Sequence, residues 1–160
     1  MKNFILDLFL GITLLFGVSF DDGLSAYQKG DFKTALFVFE DLASEGNAKA
    51  QYFLGVMYQN GEGVRQDYKK AFEWYERAAL QGDAEAQHTL ALIYENGTGV
   101  KQDFEKARVW HKKAASQGHT TSKYFVENMH RDGADVGKDY DDGIQDGHNI
   151  YEELLRERAF

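Results

Sequence analysis

The chain has neither cysteine nor proline in its 160 residues. Lacking cysteine, it has no disulfide framework, no thiolate nucleophile and no cysteine-ligated metal, while its compartment stays open, since disulfide-free chains suit oxidising and reducing surroundings alike. Lacking proline, its helices are not interrupted by a missing amide, and its turns fall to the 16 glycines. Positive charge is in short supply as well: 18 Lys and Arg stand against 26 Asp and Glu, a net charge of -8. That balance argues against a nucleic-acid phosphate backbone as partner, which needs clustered cations. Residues 131–160 hold nine acidic and four basic side chains, so most of the imbalance sits at the C-terminal end.

Long apolar runs are missing beyond the first twenty residues. There, Lys2 precedes Phe4-Ile5-Leu6, Asp7 interrupts, and Leu8 to Phe20 carry no charge before Asp21-Asp22. A basic start, a short apolar centre and the small residues Gly17 and Ser19 are the layout of an export signal, with processing expected near Ser19 or Phe20. A bilayer span needs about twenty apolar residues, so a stable membrane helix is not expected once the signal is removed; a packed first helix is the alternative.

What the chain does have is an internal echo. Residues 48–83 recur as 84–119 with eighteen of thirty-six positions identical, among them Ala50/Ala86, Leu54/Leu90, Tyr58/Tyr94, Trp74/Trp110 and Gly82/Gly118. A fixed period of this length marks a stacked array in which each unit buries its apolar face on the next. Each copy reads as a helical hairpin. Asn47 and Asp83 cap a helix A whose Ala50, Leu54 and Tyr58, or Ala86, Leu90 and Tyr94, fall at four-residue steps. Asn60-Gly61-Glu62-Gly63 and Asn96-Gly97-Thr98-Gly99 end it, and the latter, formally a glycosylation acceptor, reads as the same turn. Asp67 and Asp103 then cap a helix B, whose small residues (Ala71, Ala78 and Ala79; Ala107, Ala114 and Ala115) permit close approach. Trp74 and Trp110 supply bulk there, each expected to sit between adjacent hairpins.

The pattern A-x-A-Q-x-x-L-G-x-x-Y-x-N-G-x-G-V-x-Q-D-x-x-K-A-x-x-W-Y-x-x-A-A-x-Q-G, spelled out from Ala48 to Gly82, resembles the Sel-one-like repeat, a relative of the tetratricopeptide repeat. The second copy departs from it at Ala91, against Gly55, and at His111, against Tyr75. The resemblance implies an all-α fold, a right-handed superhelix of helix–turn–helix repeats with a 36-residue period. The expected organisation is a signal peptide at 1–20, a capping hairpin at 21–46, repeats at 47–82 and 83–118, and a degenerate repeat with an acidic cap at 119–160. In that last stretch Gly133, Val136 and Asp139 keep the register, but Asp135, Gly143 and Asp146 replace a glycine, an alanine and the tryptophan. The final helix is therefore expected only near His148, running through Tyr151 to Leu155.

Chemistry-bearing constellations are few. His88, His111, His119, His130 and His148 show no H-E-x-x-H or other paired helical spacing, and read as surface or drift positions rather than metal ligands. Asp142, Asp146, Gly147 and Glu153 occupy positions one, five, six and twelve of a calcium-type loop, yet Ile144 offers no oxygen at position three. No nucleophile elbow or phosphate-cradling glycine loop occurs. No catalytic, cofactor or metal residue is therefore assigned. In the resembled superfamily the A helices line the concave face, which implies partner contacts at Lys49, Tyr52, Val56 and Gln59 and at the equivalent Glu85, His88, Leu92 and Glu95.

The first functional reading is a monomeric, non-enzymatic module of the periplasm or of a secreted protein that binds another protein or peptide as scaffold or regulator. Two others stay open. One is an envelope peptide hydrolase or lactamase-like enzyme, by analogy with cysteine-rich relatives whose cysteines this chain lacks. The other is an adaptor of a secretory quality-control complex.

Overall fold

A computed structural model describes residues 18–131, all helical, with no strand among the described residues. The apolar start through residue 17, the helix expected near His148 and the calcium-type loop at 142–153 lie outside the described residues. Seven helices follow one another: α1 Phe20–Gln28, α2 Phe32–Ser44, α3 Ala48–Asn60, α4 Tyr68–Leu80, α5 Ala84–Asn96, α6 Phe104–Ser116 and α7 Thr120–Arg131. They fall into two compact units, one through Ala86 and one from Gln87.

Helix starts follow the capping chemistry. The side-chain oxygens of Asn47, Asp67, Asp83 and Asp103 accept from the amides of Ala50, Lys70, Ala86 and Lys106 at 2.8–3.0 Å. Each cap satisfies an amide the helix cannot, a contribution of about 1 kcal/mol. Helix α3 ends at Gly61, whose φ of 75° puts it in the left-handed region. Gly63, at φ 73°, lies so close to the start of α2 that a Cβ there would stand 2.8 Å from the Phe32 carbonyl oxygen.

The N-terminal boundary differs from expectation. Helix α1 begins at Phe20, and Ser19 closes a capping box with Asp22: the Ser19 hydroxyl accepts from the Asp22 amide while the Asp22 carboxylate accepts from the Ser19 amide. Phe20 then packs its ring 5.7 Å from that of Phe39 and 5.6 Å from that of Phe53. The two residues assigned to a leader thus belong to the first hairpin's cap and core.

In the first unit the core runs through Ala35, Val38, Phe39, Leu42, Ala50, Leu54 and Met57, with Phe53 and Trp74 packed against it. Helices pair where a small residue meets a ring. A Cβ on Gly23 of α1 would stand 2.6 Å from the Phe39 ring, and one on Gly55 of α3 would stand 2.6 Å from the Tyr75 ring. The place of Gly55 and Tyr75 is taken in the second copy by Ala91 and His111, both buried. The two departures of that copy from the repeat pattern are one compensated exchange: a five-membered ring leaves room for a methyl group.

A polar clamp recurs with the same period. Gln81 donates to the Gln51 side-chain oxygen at 2.6 Å in the first unit, and Gln117 donates to that of Gln87 at 2.8 Å in the second. Gln51 also donates to the Ala43 carbonyl, so this buried amide is satisfied on both sides.

The two tryptophans are not equivalent. Trp110 is 1% exposed, whereas Trp74 is half-buried with the Arg77 guanidinium 4.5 Å from its ring centre. Trp110→Ala should therefore cost about 3 to 5 kcal/mol, the range for emptying a buried aromatic site. Trp74→Ala should cost clearly less in the same urea titration. Equal losses would contradict this ranking.

Candidate functional site

The eight positions implied as partner contacts separate into those held inside the protein and those presented to solvent. In the first unit Tyr52 is half-buried, with its ring 5.7 Å from Phe53 and 5.6 Å from Tyr75. Gln59 accepts a hydrogen bond from the Tyr75 hydroxyl at 2.9 Å. Burial pushes that phenol far above the ordinary tyrosine range. Val56 is half-buried on the same helix, Lys49 is exposed with its ammonium 6.0 Å from the Phe20 ring centre, and Glu85 is exposed. Nearby, Tyr27 donates to the Glu62 carboxylate at 2.6 Å. Desolvation, followed by that carboxylate, raises its hydroxyl to about 12. Both phenols thus stay protonated donors. A shallow cleft in this unit lies at the A-to-B turn, lined by Tyr58, Val64, Arg65, Gln66, Asp67 and Lys70, and none of the eight positions lines it.

In the second unit Leu92 is exposed, while His88 and Glu95 are half-buried parts of a polar layer that the sequence reading did not anticipate. Ser122 of α7, fully buried, places its hydroxyl 2.9 Å from Nδ1 of His88 and 3.0 Å from Nδ1 of His111. The His88 ring stacks on His119 at 4.2 Å, and His111 stacks on Phe125 at 4.0 Å. On the far side of His111, Nε2 lies 3.6 Å from the Glu95 carboxylate. Desolvation raises the affinity of Glu95 for a proton. Burial, then the neighbouring His88 and His119, lowers His111 to about 4.

The surface reading of His111 is therefore corrected: it is 1% exposed. The 36-residue register carried the signal, because His88 takes the place of Tyr52, His111 that of buried Tyr75, and His119 that of the caps Asn47 and Asp83. Histidine as a residue type suggested surface, but its position in the repeat required burial.

Ser122, His111 and Glu95 form the outline of a hydrolytic triad, yet the geometry does not serve that chemistry. Ser122 is 0% exposed, and its hydroxyl is shared between two imidazoles, so an acyl carbon has no path to it. Among the described residues no group of three His, Cys, Asp or Glu side chains is placed to hold a metal ion. Nor is any described helix long and apolar enough to cross a membrane.

Comparison with known proteins agrees with this architecture. The family model described as Sel1 repeat matches twice, at residues 48–83 and 84–119. A search of curated proteins finds no match. Among solved structures, a Sel1 repeat protein from Oxalobacter formigenes is 32% identical over 77% of this chain and 51% of its own, with a TM-score of 0.67. A protective antigen present in uropathogenic Escherichia coli strains, displaying an SLR fold, is 37% identical over 72% of this chain and 26% of its own, with a TM-score of 0.65. The chain thus spans about half of the first relative and about a quarter of the second. Repeats of this kind suggest a protein–protein interaction module. With its 36-residue period, paired helices and both matched repeats, the chain belongs to the Sel1 repeat proteins.

Proposed function

We propose that the chain is a non-enzymatic, exported protein-binding module that engages a protein or peptide through exposed positions of its A helices. One observation carries this reading: of the eight candidate positions, the side chains presented to solvent are Lys49, Glu85 and Leu92, while the rings and amides beside them are engaged in packing. Lys49 and Glu85 stand at equivalent places with opposite charge, and Leu92 replaces Val56 with a longer, more exposed apolar group. Variation confined to accessible places on a fixed frame is how repeat modules choose ligands. Leu92, 39% exposed, is the apolar anchor, and the charged residues set register.

Tyr52 is a poor probe of binding, since removing its ring would disturb Phe53 and Tyr75 as well. Lys49→Glu and Leu92→Ala are better, because surface changes of this kind usually alter stability by about 0.5 kcal/mol or less. Affinity capture from the native cell, with quantitative mass spectrometry, should recover at least tenfold less of the wild-type chain's partner with the double variant, at an unchanged melting midpoint. Equal recovery would remove the proposed surface.

Export is supported by Lys2 and the uncharged run from Leu8 to Phe20. Because Ser19 caps α1 and Phe20 packs into the first core, processing that preserves the fold should cut ahead of Ser19 rather than after it. N-terminal sequencing of the envelope fraction should begin at Val18 or Ser19. A mature chain starting at Asp21 or later would contradict this placement.

A further inference from the structure

We propose that the histidine layer of the second unit is a proton-operated latch: proton uptake by His88, His111 and His119 removes the cap of α7 and loosens that helix from its neighbours.

The latch rests on where hydrogens can go. His119 occupies the cap position of α7, and its Nδ1 accepts from the Ser122 amide at 3.3 Å, as Asn47 and Asp83 accept from Ala50 and Ala86. A neutral imidazole with its proton on Nε2 can do this. An imidazolium has no lone pair left to accept, and it sets a positive charge at the positive end of a helix. At every other described cap, Ser19, Asn47 and the aspartates, the accepting group keeps its lone pairs in this pH range.

The remaining protons are assigned by the same accounting. Ser122 has one O–H and two imidazole nitrogens beside it. With Nε2 of His111 facing the Glu95 carboxylate, its proton belongs there, so Nδ1 of His111 accepts from Ser122 and Nδ1–H of His88 donates to Ser122. A further proton on His111 aims two N–H groups at one fully buried oxygen and leaves the hydroxyl hydrogen without its acceptor. A further proton on His88 charges a ring stacked 4.2 Å from that of His119.

The charges around this layer do not absorb the added protons. From α5 the layer meets His88 and Glu95, and Glu95 is the carboxylate beside it. On α6, Arg108 pairs with Glu105 at 3.5 Å, and Lys112 next to His111 is exposed. On α7, Lys123 and Glu127 are exposed and pair with each other at 3.9 Å. One carboxylate thus faces three imidazoles. With His111 lowered to about 4 in the folded chain against 6.5 for the free side chain, the unfolded chain binds more protons between those values. The stability from this group is whole above about pH 6.5 and is lost as the pH falls toward 4.

The test is amide hydrogen exchange of the full-length chain, read at residues 120–131 at pH 7.5 and 5.0 after correction for intrinsic exchange rates. Protection there should fall at least tenfold at pH 5.0 in the wild-type chain. In His119→Asn, which installs the cap residue of α3, the fall should shrink to less than threefold. Equal wild-type protection at the two pH values, or an undiminished fall in the variant, would overturn the latch. If the variant does not fold, histidine-selective 15N spectra of the wild-type chain decide: at pH 7.5 His119 must show an unprotonated Nδ1 that gains its proton as α7 loses protection, and a protonated Nδ1 at pH 7.5 refutes the mechanism.

Discussion

The contact between a ring on one helix and a missing or minimal side chain on its partner governs how each hairpin closes. Gly23 faces Phe39 and Gly55 faces Tyr75, each so closely that even a methyl group would overlap the ring. Helices that approach this far exclude water from the alanine-lined seam beside them. Ala35, Ala50, Ala71 and Ala78 are at most 2% exposed. The glycines in question are helical and buried, where glycine costs about 1 kcal/mol relative to alanine, so their presence needs this packing reason.

Much of this was legible in the sequence. The 36-residue echo gave the hairpins, Asn47, Asp67, Asp83 and Asp103 gave the helix starts, and the paired glycines gave the turns. What stayed hidden was the partner of each buried polar group. Gln51 and Gln81 lie thirty residues apart, and nothing in one strand of letters tells that they share a hydrogen bond. The histidines were misjudged because residue type was weighed above register. Phe20 was misassigned because an apolar residue next to an apolar run reads as part of it, whereas its neighbours in space are Phe39 and Phe53.

The candidate surface was legible to a smaller degree. The eight A-helix positions were implied as one set, yet side-chain length and the nearest hydroxyl divide them. In the first copy the polar layer is closed by neutral groups, the Tyr75 hydroxyl on Gln59. In the second the same positions carry His111 and Glu95, ionisable groups at 3.6 Å. One architecture thus holds a layer indifferent to pH near neutrality in one copy and a titrating layer in the other. Repetition fixes the geometry, and substitution within it changes the chemistry.

The central claim is that the ring and the small residue opposite it form one coupled unit, and a double-mutant cycle on Gly55 and Tyr75 tests it most directly. Denaturant titrations should show Gly55→Ala costing about 1 to 3 kcal/mol beside the native tyrosine, and less than about 0.5 kcal/mol in a Tyr75→His background that reproduces the second repeat. The same penalty in both backgrounds would mean that the ring and the glycine do not constrain each other, and this account of helix pairing would fail.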